Sequence, residues 1–178
     1  MTDLEGLLRR LVAALGDAHV PYMVAGSFAS TAHGLPRATQ DLDVVIDPPD
    51  RRALDAFLER LPPDDYYVDA EAARDAVRRR TMFNVIDNAT GWKVDLIVRK
   101  NRAFSREEFR RRQPLTMLGV PLFVASPEDT VVAKLEWSLQ AGGSERPPSA
   151  YSASNGVSLA VPSSRAEATS VGRPATDS

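Results

Sequence analysis

The chain has 178 residues, a net formal charge of −2, no cysteine and two histidines. Its length favours one domain, and its hydrophobic fraction of 43% is enough for a real core. Disulfides and cysteine-based zinc sites are excluded, two histidines are too few for a His-rich metal site, and the charge balance argues against a global electrostatic grip on nucleic acid. No apolar run approaches the roughly 18 residues of a membrane span, and the amphipathic N-terminus, acidic at its start, is unlike a signal peptide. The expected location is therefore the cytoplasm, with no membrane partner.

Leu4, Leu7, Leu8, Leu11 and Leu15 recur at helical spacing, so residues 3–18 are predicted as an amphipathic helix. "PYMVAG" reads as a short buried strand and "SFASTAHG" as a short helix. "LPRATQ" is a loop, and "DLDVVID" is a strand stopped by Pro48 and Pro49. Asp50 caps a helix over "DRRALDAFLERL". "YYVD" is a candidate strand and "AEAARDAVRRR" a helix. "MFNVIDNATGWKVDLIV" is predicted as a hairpin, with Asn88-Ala89-Thr90-Gly91 as its turn.

"SREEFRRRQ" reads as a short helix with Ser105 as cap and Glu108 at the capping-box position. "LTMLGVPLFVAS" reads as a second hairpin around Gly119. "SPEDTVVAKLEWSLQ" is a helix capped by Ser126, with Pro127 first and Asp129 at the box position. From Ala141 the composition turns to Ser, Pro, Gly and Ala, without helical or alternating period. The expectation is an α/β domain with a mixed sheet flanked by helices over 1–140, followed by a disordered low-complexity tail over 141–178.

Asp41 and Asp43 open a strand otherwise made of apolar residues. Residues at i and i+2 of a strand share a face, so the two carboxylates project together and repel. A divalent cation neutralises such a pair, and Mg²⁺ prefers carboxylate oxygens. The alternative is that Asp41 merely ends the loop and Asp43 lies on a wet sheet edge. Asp95 sits alone within "WKVDLIV", where an isolated acid is unfavourable. If its strand neighbours the first, three carboxylates can hold two Mg²⁺ ions, which suits in-line phosphoryl or nucleotidyl transfer. Otherwise Asp95 is an exposed edge residue with Lys93 as a surface ion-pair partner. Gly26-Ser27 lies between a strand and a helix, where free N–H groups, a small residue and a hydroxyl suit phosphate. A Gly-Ser turn that merely caps the helix is the plainer reading.

Gly26-Ser27, Arg37, Thr39, Asp41, Asp43 and the distant Asp95, in that order, resemble the nucleotidyltransferase superfamily of DNA polymerase β. "VAGSFASTAHGLPRATQDLDVVI" and "SPEDTVVAKLEWSLQAGGSER" look like the small bacterial members related to AbiEii-type toxins of type IV toxin–antitoxin systems. The likeness covers about residues 20–145. It implies transfer of a nucleoside monophosphate from an NTP such as ATP to RNA, protein or a small molecule. Asp41, Asp43 and Asp95 would hold the metals, with Asp95 helping to deprotonate the acceptor. Gly26 and Ser27 would cradle the triphosphate, with Arg37 and Lys134 as phosphate contacts. Thr39 would shape the loop of that nucleotide site, and His33 reads as a helix-end residue. A tRNA or protein acceptor and a cognate antitoxin are the implied partners.

Two other readings compete. One is a catalytically weakened member of the same fold that serves as a binding or regulatory protein of a toxin–antitoxin pair. The other is a nucleic-acid-binding module using Arg78–Arg80 and Arg110–Arg112, though a solvated helix face explains each cluster. The resembled group carries further amphipathic helices where this chain has its tail, so missing helices, through a shifted reading frame or a natural divergence, are expected to leave Val131, Leu135 and Leu139 uncovered.

Overall fold

The computed structural model describes residues 3–32 and 41–141. His33, Arg37, Thr39 and the segment 142–178 lie outside the described residues, so the expectations placed on them find no structural counterpart. The leucine-spaced N-terminal segment forms α1 (Asp3–Asp17), which buries Leu7, Leu8, Leu11 and Leu15. β1 (Tyr22–Val24) and α2 (Gly26–Ala32) follow. Next come β2 (Asp41–Ile46), α3 (Arg51–Leu58) and β3 (Tyr66–Val68). α4 (Ala70–Arg79) leads into the hairpin of β4 (Met82–Asp87) and β5 (Lys93–Val98). α5 (Ala103–Arg110), the hairpin of β6 (Gln113–Met117) and β7 (Val120–Val124), and α6 (Pro127–Ala141) complete the described chain.

All seven strands join one mixed sheet in the order β3-β4-β5-β2-β1-β7-β6. β2 and β5 lie at its centre and pair in parallel, and β1 pairs antiparallel with β2. Alternation along the strands gives the sheet two unlike faces. Val24, Leu42, Val44, Val94 and Leu96 point into the main core with α1, α3 and α4. The opposite face is only partly covered: Phe109 of α5 packs with Met23, Val45 and Ala125, and Ile97 lies against them. Among the described residues, no helix is long and apolar enough to cross a membrane.

Local chemistry explains most element ends. Asp50 accepts a hydrogen bond from Ala53 N at 2.8 Å, and Asp69 caps α4 through Glu71 N and Ala72 N. Leu118 and Gly119 both take positive φ (48° and 73°), the geometry of a tight two-residue hairpin turn. Ser126 caps α6 as expected, with Asp129 N donating to Ser126 Oγ at 3.1 Å, and the Asp129 carboxylate answers by accepting from the Ser126 hydroxyl at 2.9 Å. The cap expected at Ser105 is a correction. α5 starts three residues earlier, with Arg102 at the cap position, and the Ser105 hydroxyl inside the first turn accepts from Arg102 Nε at 2.9 Å. Val131, Val132 and Leu135 are exposed on α6.

Candidate active site

The parallel pairing of β2 with β5 puts the acids in rows. Asp43 lies directly opposite Asp95, and Asp41 directly opposite Lys93. All four occupy the partly covered face, since their neighbours Leu42, Val44, Val94 and Leu96 fill the core on the other. Neither plain alternative for the acids is met: Asp95 is fully buried in a central strand rather than exposed at an edge, and Asp43 is only 7% exposed rather than wet. β4 extends the row, because Asn84 sits across from Asp95 and is exposed. Asp47 continues the face of Asp43 but belongs to a different cluster, accepting from Arg99 Nε at 2.8 Å.

Burial and charge set the electrostatics. Removal from water pushes the Asp43 carboxyl up to about 8, with Asp95 and then Asp41 adding to the rise and Lys93 opposing it. Asp43 Oδ1 is buried without a hydrogen-bond partner. Lys93 Nζ lies 3.2 Å from Asp95 Oδ2 and 3.5 Å from Asp41 Oδ1, so one ammonium spans two strands. From sequence, Lys93 reads only as a surface partner of Asp95, and Asn84 does not stand out. The signal for Lys93 was its i−2 spacing from Asp95. Asn84 carried no signal short of the hairpin register.

Gly26 is required for a reason the sequence did not reveal. Its φ is +65°, and a Cβ there would stand 1.9 Å from Asp43 Oδ2. Ala25 N also donates to Asp43 O at 2.9 Å. The glycine therefore makes room for the carboxylate itself. Ser27 is half-buried beside it at the start of α2. Lys134 is exposed on α6, the helix that packs against α2.

Do these residues suit a divalent cation? Three oxygen donors on one face and an orphaned buried carboxylate oxygen are the right chemistry for Mg²⁺. As the side chains stand, however, no group of three or more His, Asp or Glu among the described residues is arranged to hold one. Asp41 is half exposed and drawn to Lys93. A cleft of about 550 Å³ between α3 and α4 does not help, because its lining begins at Pro48, past the far end of β2. Its arginines are already engaged, Arg51 and Arg74 with Asp55 and Arg78 with Asp75.

Comparison with solved structures places the architecture. A protein named as a nucleotidyltransferase from Thermotoga maritima superposes with a TM-score of 0.54 at 16% identity, over 80% of this chain and 90% of that one. The fold is the nucleotidyltransferase fold. The antibiotic-resistance factor ANT(2'')-Ia shares it, with a TM-score of 0.52 at 14% identity over 83% of this chain and 78% of its own. So does an antigenic nucleotidyltransferase-like protein from Paracoccidioides brasiliensis, with a TM-score of 0.53 at 21% identity over 81% and 70%. No family model matches the sequence, and a search of curated proteins finds no match.

Proposed function

We propose that the protein is a metal-dependent nucleotidyltransferase that moves a nucleoside monophosphate from an NTP to an acceptor hydroxyl. The observation that carries this reading is the side-by-side placement of Asp43 and Asp95, buried on adjacent central strands of a nucleotidyltransferase fold. A stability-driven design gains nothing from two buried carboxylates in one row. Asp41, Asp43 and Asp95 would hold Mg²⁺, with two ions as the expectation. When bound, these ions supply positive charge to the triphosphate and to the charge that develops on it.

The chain's own residues do the rest. Asp95 receives the proton of the acceptor hydroxyl. The acceptor oxygen bonds to the α-phosphorus as the bond from that phosphorus to the bridging oxygen breaks. Pyrophosphate leaves with the electron pair. Gly26 and Ser27 offer backbone and hydroxyl donors to the triphosphate, and Lys134 offers a cation from α6. Arg37 and Thr39 are assigned to the same phosphate-binding side from sequence alone. The acceptor is RNA, a protein or a small molecule, and a relation to AbiEii-type toxins with a cognate antitoxin belongs to the same proposal.

A second reading, a catalytically weakened binding or regulatory protein, draws on the pairing of Lys93 with Asp41 and Asp95. One experiment separates the two. The protein is incubated with each α-labelled NTP, Mg²⁺ and cell extract, and label is followed into RNA, protein and small-molecule fractions. Transfer that Asp43→Asn abolishes supports the enzyme. No transfer into any fraction, with no Mg²⁺-dependent stabilisation by any NTP, rejects it.

A further inference from the structure

Lys93 ties into the acid cluster by close contacts on both strands. It is held by register as well as by charge, because β5 places it opposite Asp41 and two residues before Asp95 on the same face. Its side chain is 27% exposed. The ammonium thus uses Asp95 Oδ2 and Asp41 Oδ1, two of the oxygens a divalent cation would need.

We propose that Lys93 is a resident counter-ion of the acid cluster, which a divalent cation must displace to bind, so that Lys93 sets the metal affinity of the site. This rests on the metal-dependent reading above. An ammonium and a divalent cation repel at contact range, so the same two oxygens serve one or the other. The arrangement also explains why the carboxylates do not stand ready as a cage. Asp41 leans to Lys93, and Asp43 keeps one oxygen without a donor. Lysine suits the part better than arginine would. Its charge is compact and rides on a flexible stem, whereas a guanidinium grips carboxylates with a planar fork.

The test is a Mn²⁺ titration without nucleotide, with free Mn²⁺ read by electron paramagnetic resonance. Wild type, Lys93→Met, Lys93→Arg and Asp43→Asn are compared, and circular dichroism checks each fold. Lys93→Met is expected to bind Mn²⁺ about tenfold more tightly than wild type, the scale set by two lost ion pairs. Lys93→Arg is expected to bind no more tightly than wild type, and Asp43→Asn more weakly. Equal or weaker binding by folded Lys93→Met, with Asp43-dependent binding in wild type, overturns the counter-ion role and leaves the metal-dependent reading standing. No binding by any of the proteins overturns both.

A second measurement needs no variant. Acetylation of Lys93 by an amine-reactive reagent, read by mass spectrometry, is expected to speed up several-fold when saturating Mg²⁺ releases the ammonium. An unchanged rate overturns the displacement even if Lys93→Met does not fold.

Discussion

Replacing Asp43 by Asn keeps the shape of the side chain and removes its charge, so it separates the stability of the site from its chemistry. The Asp43 carboxyl is pushed from its ordinary 3.8 to about 8 by burial and then by Asp95 and Asp41. Below the lower value both folded and unfolded chains hold the proton, and the group contributes nothing to pH dependence. Between the two values the folded chain keeps a proton that the unfolded chain releases, so stability falls as pH rises. Above the higher value the full deficit remains. At pH 7 the window crossed is about three units, and each is worth about 1.4 kcal/mol, for a cost of roughly 4 kcal/mol. Asn escapes that cost. Urea melts in EDTA are therefore expected to show Asp43→Asn more stable than the parent by about 2–4 kcal/mol at pH 7. The gap should shrink towards zero near pH 4, where other titrating groups cancel between the two proteins. Excess Mg²⁺ should narrow the gap at pH 7 by stabilising the parent alone. Nucleotidyl transfer, by contrast, should be lost. A variant less stable than the parent in EDTA, or a gap independent of pH, refutes the reasoning.

Three further outcomes follow from neighbouring residues. Gly26→Ala forces a Cβ onto the Asp43 carboxylate at positive φ and should destabilise by roughly 2–4 kcal/mol in urea melts; a loss under about 1 kcal/mol would show that the carboxylate moves aside freely. Glu108, nearly buried, is raised to about 7 by burial and by Asp129 and Glu136, against Arg102 and Arg111. The folded chain therefore holds its proton between about 4.5 and 7, stability declines across that window, and Glu108→Gln should gain up to ~3 kcal/mol at pH 8 but little at pH 4; equal gains at both pH values reject this. Lys134→Ala, at an exposed position, should raise KM for NTP several-fold without shifting Tm, and an unchanged KM removes Lys134 from the phosphate contacts.

The elements were legible wherever the signal was local. Leucines at helical spacing gave α1, and the Ser126-Pro127-Asp129 pattern gave the start of α6, because each depends on residues within one or two turns. Ser105 failed for the complementary reason. Its helix starts at Ala103, and Arg102 takes the cap position while its guanidinium reaches Glu136 at 2.5 and 2.6 Å. Glu108, expected at a capping-box position, instead lies buried with Asp129 and Glu136 among the charges around it. Those partners are on α6, beyond any spacing rule. Gly26 is legible as a small residue in a turn, but its steric partner is a carboxylate on the next strand.

The acid cluster marks the same boundary at the level of function. An Asp within an apolar strand is visible as an anomaly, and two at i and i+2 share a face by geometry alone. Whether the third acid joins them depends on which strand pairs with β2, and β5 reaches that place only through a long parallel connection. Once it does, the charges can be counted. Asp41, Asp43 and Asp95 carry three negative charges when ionised, and Lys93 returns one. Burial leaves the remainder with two remedies, a proton on Asp43 or a cation on the carboxylates. Under the proposed reading, the proton serves the metal-free protein and the cation the nucleotide-binding one. On that reading the site gives up folding stability without a cation and regains it with one, and Asp43→Asn measures the exchange.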